Sequence, residues 1–192
     1  ASHDVLQPLN AARLYVTSLV ERQLGGQEAT LVGNIDASLE AVEEILNALI
    51  EIARLDTGKQ EPELSNFPLQ VLLNRLAVEF EPLAQSRGLD LKIVPTAAWV
   101  SSDRRLLYRL LQNLLSNAVK YSPDNPAIHV RGWREGAYAV VSVRDNGLGI
   151  ADEDMPQIFT RFFRAQNSTG IVGTGIGLNL VKELVVMHGG AV

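Results

Sequence analysis

The chain has 192 residues, 46% of them hydrophobic, which suffices for one ordinary core plus a smaller appendage. Its formal net charge of −5 argues against nucleic acid as a partner, and the absence of cysteine removes disulfides and thiolate metal sites. No apolar run reaches the length of a membrane span and no leader pattern opens the chain, so a cytoplasmic location is expected.

Two helices come first. The earlier one carries Val5, Leu9, Val16 and Leu19 or Val20, and Gly25-Gly26-Gln27 breaks it from the next. From Leu31, apolar residues fall at Ile35, Leu39, Val42, Ile45 or Leu46, Leu49, Ile52 and Leu55, in steps of three and four that keep a seam near the heptad period. A lone hairpin leaves much of such a seam in water. Pairing with a second copy into a four-helix bundle is the expected solution, the competing one being packing against the chain's own second domain. Thr57-Gly58-Lys59-Gln60-Glu61-Pro62 ends the second helix with a glycine and a following proline and begins a linker. The expected organisation is a hairpin over 1–58, a linker over 59–66 and a second domain over 67–192.

In that domain Phe67-Pro68-Leu69 opens an edge strand, and Leu72 to Ala84 reads as a helix with Leu73, Leu76 and Phe80 inward. Leu89 to Val94 alternates like a strand, and Ala97 to Val100 makes another. Asp103 then caps a helix whose Leu107, Leu111, Leu114 and Ala118 are expected to face the core. Ile128 to Trp133 and Tyr138 to Val143 form a hairpin, and Leu178 to Met187 forms the last helix. His129 and His188 have no metal-ligand companions and read as structural or exposed.

The chemistry-bearing residues cluster in this domain. Asn113, Asn117 and Lys120 share one helical stripe, where amide oxygens can complete the shell of a hard cation such as Mg²⁺ and an ammonium can neutralise phosphate. An ordinary solvated helix face carries the same pattern, so the stripe needs support from elsewhere. Asp145-Asn146-Gly147-Leu148-Gly149-Ile150 follows the alternating run 137–143, and a carboxylate at a strand end can accept a hydrogen bond from an exocyclic amine such as that of adenine. Gly170, Gly173, Gly175 and Gly177 precede the last helix, whose first backbone N–H groups would attract phosphate. The Gly173-Thr174-Gly175-Ile176-Gly177 spacing approaches a dinucleotide fingerprint. No strand precedes it and no βαβ unit surrounds it, which excludes a Rossmann site.

Four motifs in this order resemble the sensor histidine kinases of two-component signalling. Asn113 to Ser122 looks like the N box of that family, Asp145 to Ile150 its first glycine box, Ile158 to Arg164 its F box and Gly173 to Leu178 its second glycine box. The resemblance covers nearly the whole chain. It implies an α plus α/β fold: a helical hairpin forming a dimeric four-helix bundle, then an α/β sandwich ATP-binding domain of the type shared with gyrase, mismatch-repair ATPases and a heat-shock chaperone. Those hydrolases place a glutamate at the first N-box position to activate water. Asn113 stands there in this chain and cannot act as a base.

The resemblance also implies roles. Ser2-His3-Asp4-Val5-Leu6-Gln7-Pro8-Leu9 is similar to the family's H box, with His3 the phosphate acceptor and Asp4 the carboxylate that orients the ring and takes its proton. Pro8 removes an N–H beside the carbonyl of Asp4, so a bend is expected there. ATP would be bound by Asn113, Asn117, Lys120, Tyr121, Asp145, Gly147, Gly149, Ile150, Arg164, Gly173, Thr174, Gly175, Gly177 and Leu178, with Arg164 on a mobile lid near the phosphates. Mg²⁺ would be held by Asn113 and Asn117. Gln7 stands where the family usually has threonine or asparagine, a position tied to dephosphorylation of the partner. The implied partners are a second copy, a response-regulator receiver domain, separate or fused downstream as in a hybrid subgroup, and a sensor domain upstream. The chain begins at the H box and stops where the family continues into final strands, as expected of a piece of something larger. The readings in competition are a nucleotide-binding dimerisation module without catalysis and an ATP hydrolase of the same fold.

Overall fold

The computed structural model describes residues 2–20, 22, 25–56, 62–122, 127–168, 171 and 173–192, without the side chains of 2–7, 44, 47, 48, 51, 52 and 54–56. The expected break at Thr57 to Glu61, Gly170, and the side chains of His3, Asp4, Gln7, Ile52 and Leu55 lie outside what is described. The chain divides into two compact units, Ala1–Lys59 with Val172–Thr174, and Gln60–Ile171 with Gly175–Val192.

In the first unit, α1 (Ser2–Val20) runs through Pro8, and α2 (Gly26–Asp56) extends for 31 residues, or about 46 Å at 1.5 Å per residue. Gly26 adopts a positive φ of 58°, the left-handed conformation that a glycine enters without a Cβ clash, where the chain reverses. The two helices pack on each other, with Val16 and Val32 buried and Arg13 Nη1 bonded to Glu43 Oε2 at 2.7 Å. Among the described residues, part of the apolar seam stays exposed. Ile35, Val42 and Leu49, seven residues apart, are 49%, 44% and 41% exposed.

The second unit follows the expected order with shifted boundaries. β1 (Ser65–Pro68) pairs antiparallel with β3 (Trp99–Ser102), while β2 (Asp90–Ile93) lies parallel to β4 (Ala127–Glu135), which pairs antiparallel with β5 (Tyr138–Arg144). The β4–β5 connection is a two-residue turn, with Glu135 opposite Tyr138 and Gly136 at φ 58°. Three helices complete the unit: α3 (Leu69–Ser86), α4 (Arg104–Tyr121) and α5 (Gly177–Met187). Leu69, Leu72, Leu73, Leu76, Phe80 and Ala84 of α3 are buried, at the three- and four-residue spacing that aims one helix face at a core. Ile128 and Val130 alternate inward from β4.

Helix α4 departs from expectation in one respect. Leu111 and Ala118 are buried as expected, but Leu107 and Leu114 are only half-buried, and Leu106, Tyr108, Leu110, Leu115 and Val119 complete the buried set. The helix packs against both α3 and α5, so two neighbours cover a wider arc than a single apolar stripe describes. Leu106, Leu110, Asn113 and Asn117 then fall on one side at steps of four, three and four. That side is apolar in its first half and polar in its second, which confines the amides to the C-terminal half of α4.

Asp103 sets where α4 begins. Its Oδ1 accepts from the backbone N–H of Arg105 at 2.9 Å and of Leu106 at 3.1 Å, and its Oδ2 accepts from Glu63 N–H at 3.1 Å. Burial pushes the carboxyl up, but these three donors outweigh it and hold Asp103 below its usual pKa. A depressed carboxylate contributes stability above its unfolded pKa of about 3.9 and loses that contribution as pH falls through the lower folded value. Asp103→Ala is expected to cost about 1–2 kcal/mol at neutral pH, with the difference from the parent shrinking in strong acid. The urea midpoint of Trp99 and Trp133 fluorescence, both in this unit, measures it.

Candidate functional site

The C-terminal half of α4 meets the first turn of α5. Asn113 spends its amide N–H on the Arg109 carbonyl at 2.9 Å, which fixes the side chain and leaves Oδ1 on the side of Gly177. A Cβ built on Gly177 would come within 3.1 Å of Asn113 Oδ1 and 3.9 Å of Asn117 Nδ2. Glycine therefore permits α5 to begin directly beside the amide stripe. Ile176 at the N-cap has no side-chain acceptor, so α5 starts without a side-chain cap beside two amides. Such a helix start attracts negative charge.

The 145–150 loop is sewn to the end of α4. Asp145 Oδ1 accepts Gly147 N–H at 2.8 Å, and the carbonyl of Tyr121 accepts Leu148 N–H at 3.1 Å. A Cβ on Gly147 would strike Asp145 Oδ1 at 2.6 Å and Tyr121 O at 2.8 Å, so no larger residue fits without moving backbone. Asp145 is exposed, and one of its carboxylate oxygens is committed to Gly147. Among the described residues the other receives no hydrogen bond, which leaves it an oriented acceptor at the C-terminal end of the Asn113–Tyr121 stripe. Lys120 and Tyr121 are half-buried in the same turn.

The 158–175 segment is tied down at several points. Phe162 N–H donates to Gly175 O at 2.9 Å, and Gly175, at φ 69°, has no space for a Cβ, which would lie 2.6 Å from Phe163 O. Phe162 itself holds a positive φ of 66°, unusual for a bulky residue, with 59% of its surface exposed. Arg164 Nη2 donates to the carbonyls of Ser168 and Ile171, so this guanidinium braces its own loop. Asn167 Nδ2 donates to Gly149 O at 3.0 Å, joining the segment to the 145–150 loop.

Thus Asn113, Asn117, Lys120, Tyr121, Asp145, Gly147, Gly149, Ile150, Gly175, Gly177 and Leu178 lie in one unit along α4, its adjoining loop and the start of α5, and Arg164 lies in that unit too. Gly173 and Thr174 group with the hairpin unit, as do His3 and Asp4 in the first turn of α1. The sequence reading missed Asn167 and Asn179. Asn179 is 6% exposed and donates from Nδ2 to Phe159 O at 2.9 Å. A polar residue among Leu178, Leu180 and Val181 was the available signal. His188 agrees with the structural reading, its Nδ1 lying 2.7 Å from the Leu184 carbonyl at the end of α5.

Among the described residues no group of three or more His, Cys, Asp or Glu could hold a metal ion. A cation at this site would have to rely on amide oxygens and on the oxygens of its ligand. The positioned Oδ1 of Asn113 is a suitable donor for Mg²⁺, which keeps waters and phosphate oxygens in its shell.

Comparison with known proteins bears on both units. The family described as His Kinase A (phospho-acceptor) domain matches residues 1–58, and the family described as histidine kinase-, DNA gyrase B- and HSP90-like ATPase matches residues 102–192. The alginate biosynthesis sensor protein KinB of Pseudomonas aeruginosa is 30% identical over 197 aligned positions, covering 100% of this chain and 33% of KinB. The sensor histidine kinase HprS of Escherichia coli is 30% identical over 193, covering 99% of this chain and 42% of its own length. The chain thus spans between a third and a half of these relatives. Among solved structures, full-length ShkA in complex with AMPPNP superposes with a TM-score of 0.73 at 25% identity, over 98% of this chain and 40% of that one.

Proposed function

Because this chain belongs to the sensor histidine kinases of two-component systems, we propose that it transfers the γ-phosphoryl group of ATP to His3 and passes it on to a response-regulator aspartate. The observation that carries the nucleotide half is the approach of Asn113 and Asn117 to Gly177, close enough that a Cβ there would meet both, which sets two amides beside a helix start without a side-chain cap. Asn113 in place of a carboxylate favours transfer over hydrolysis, since an amide cannot take a proton from water.

In this reading an imidazole nitrogen of His3 forms a bond to the γ-phosphorus as the bond to the β–γ bridging oxygen breaks. ADP leaves, and Asp4 accepts the ring proton. ATP supplies the phosphoryl group. Asn113 and Asn117 position Mg·ATP, Lys120 and the first N–H groups of α5 neutralise phosphate charge, and the free carboxylate oxygen of Asp145 selects the adenine amine. Tyr121, Gly147, Gly149 and Ile150 line the base, while Gly173, Thr174, Gly175, Gly177 and Leu178 let backbone approach the phosphates. Arg164 braces the lid, and a rearrangement of its carbonyl bonds would release the guanidinium toward them. The corresponding domain limits are 1–58 for the phosphotransfer hairpin, 59–66 for the linker and 67–192 for the catalytic domain.

The same reading places the protein in a homodimer, with an upstream sensor domain, a receiver domain separate or downstream, and a cytoplasmic kinase core. The heptad-spaced exposure of Ile35, Val42 and Leu49 supports the dimer, because burying that seam against a second copy removes it from water. Among the described residues no helix is long and apolar enough to cross a membrane. Replacing Ile35 and Val42 together by glutamate is expected to turn the dimer into a monomer in sedimentation equilibrium. A dimer of unchanged stability would reject the seam.

Incubation with γ-labelled ATP tests the activity itself. Acid-labile, alkali-stable label on the protein is the expected result. Released phosphate without label would indicate a hydrolase, and nucleotide binding with neither would indicate a signalling module without catalysis.

A further inference from the structure

Helix α5 grips Phe159 twice. Asn179 donates to its carbonyl oxygen at 2.9 Å, and Lys182, one turn further on, stands 5.7 Å from the centroid of its ring. Phe159 opens the 159–164 segment, whose exposed Phe162 holds a positive φ and is bonded back through its N–H to Gly175 O. Two residues before Asn179, the same helix turn lies at Gly177 so close to Asn113 and Asn117 that a Cβ there would meet both. One turn of α5 therefore contacts both the amide stripe and the root of the 159–164 segment.

The amide of Asn179 is costly where it lies. Its residue is 6% exposed and its Oδ1 meets no partner among the described residues, a cost that an apolar side chain would avoid. Of its two polar ends only the donor is used, and it is used on Phe159. A residue serving packing alone would be apolar, like Leu180 and Val181 beside it, both buried.

We propose that Asn179 is a positioning residue for the nucleotide: it locks the start of the 159–164 segment to the helix turn that abuts the amide stripe, so that nucleotide contacts on either side form together. It acts through the 159–164 segment and not on the nucleotide directly. The inference rests on the nucleotide site proposed above and adds a residue to it.

The test uses Asn179→Ala and Asn179→Leu, the leucine guarding against the cavity that alanine leaves, with Asn179→Ser as a partial donor. The measurements are the dissociation constant for AMPPNP by calorimetry, the thermal midpoint without nucleotide, and the labelling rate at saturating ATP. The alanine and leucine variants are expected to bind AMPPNP about tenfold more weakly, or ~1.4 kcal/mol, with the saturated rate unchanged in both, the midpoint unchanged in the leucine variant, and affinity partly restored in the serine variant. Parent-like affinity in both variants, with the parent binding normally, overturns the proposal. So does a lowered midpoint matched by an equal loss of saturated rate, the mark of a merely structural amide. A parent that binds no AMPPNP overturns the nucleotide site itself, and this inference falls with it.

Discussion

Replacing His3 by glutamine is expected to abolish acid-labile phosphoryl label while leaving nucleotide affinity at the parental value. Glutamine keeps a hydrogen-bonding side chain of similar reach, but its amide nitrogen has no available lone pair with which to attack phosphorus. The label should vanish completely because no second group in the reaction as proposed substitutes for the acceptor. Binding should survive because His3 belongs to α1, in the hairpin unit, while the amide stripe and Asp145 belong to the other. Label retained at the parental level, mapped to any other residue, would remove His3 from the reaction.

The second large effect is expected at Asp145. Gly147 N–H occupies Oδ1 at 2.8 Å and thereby orients the carboxylate. In Asp145→Asn the amide oxygen keeps that bond, because only oxygen can accept it, and the NH₂ group is forced into the position of the free oxygen. A donor would then face the exocyclic amine of adenine, itself a donor. One hydrogen bond is lost and two donors confront each other, so affinity for ATP is expected to fall about a hundredfold, or ~2.7 kcal/mol. The loop should keep its shape, since the Gly147 contact persists. Calorimetry with ATP and with a purine nucleotide carrying a carbonyl in place of the amine separates the cases. Equal loss for both, or unchanged affinity for ATP, would remove Asp145 from base recognition.

These two residues differ in how they could be found. His3 is visible as a local pattern with Asp4 and Pro8 in one helix, and it needs no tertiary contact to be recognised. Asp145 stands at the end of an alternating run and before two glycines, so its position at a strand end was legible. Which of its oxygens remains available was not, because that depends on the turn made by Gly147 and on the Tyr121 carbonyl behind it. Asn113 and Asn117 were legible as a stripe, yet their approach to Gly177 joins positions sixty or more residues apart. Asn179 escaped notice for a similar reason: its partner is a backbone carbonyl twenty residues earlier, and backbone acceptors carry no residue-type signature.

The order of helices and strands, the heptad seam of α2, the cap at Asp103 and the three glycine- and amide-bearing motifs could all be read from spacing along the chain. Each depends on side-chain periodicity or on bonds within a few residues, and local chemistry determines those. The folded unit decided the rest. That Leu106 and Leu110 are covered rather than Leu107 and Leu114, that Arg164 braces carbonyls of its own loop, and that α5 links the amide stripe to Phe159 all follow from which elements pack side by side. Packing partners are set by the burial of whole faces against one another, a condition on the entire unit that no single stretch of residues expresses.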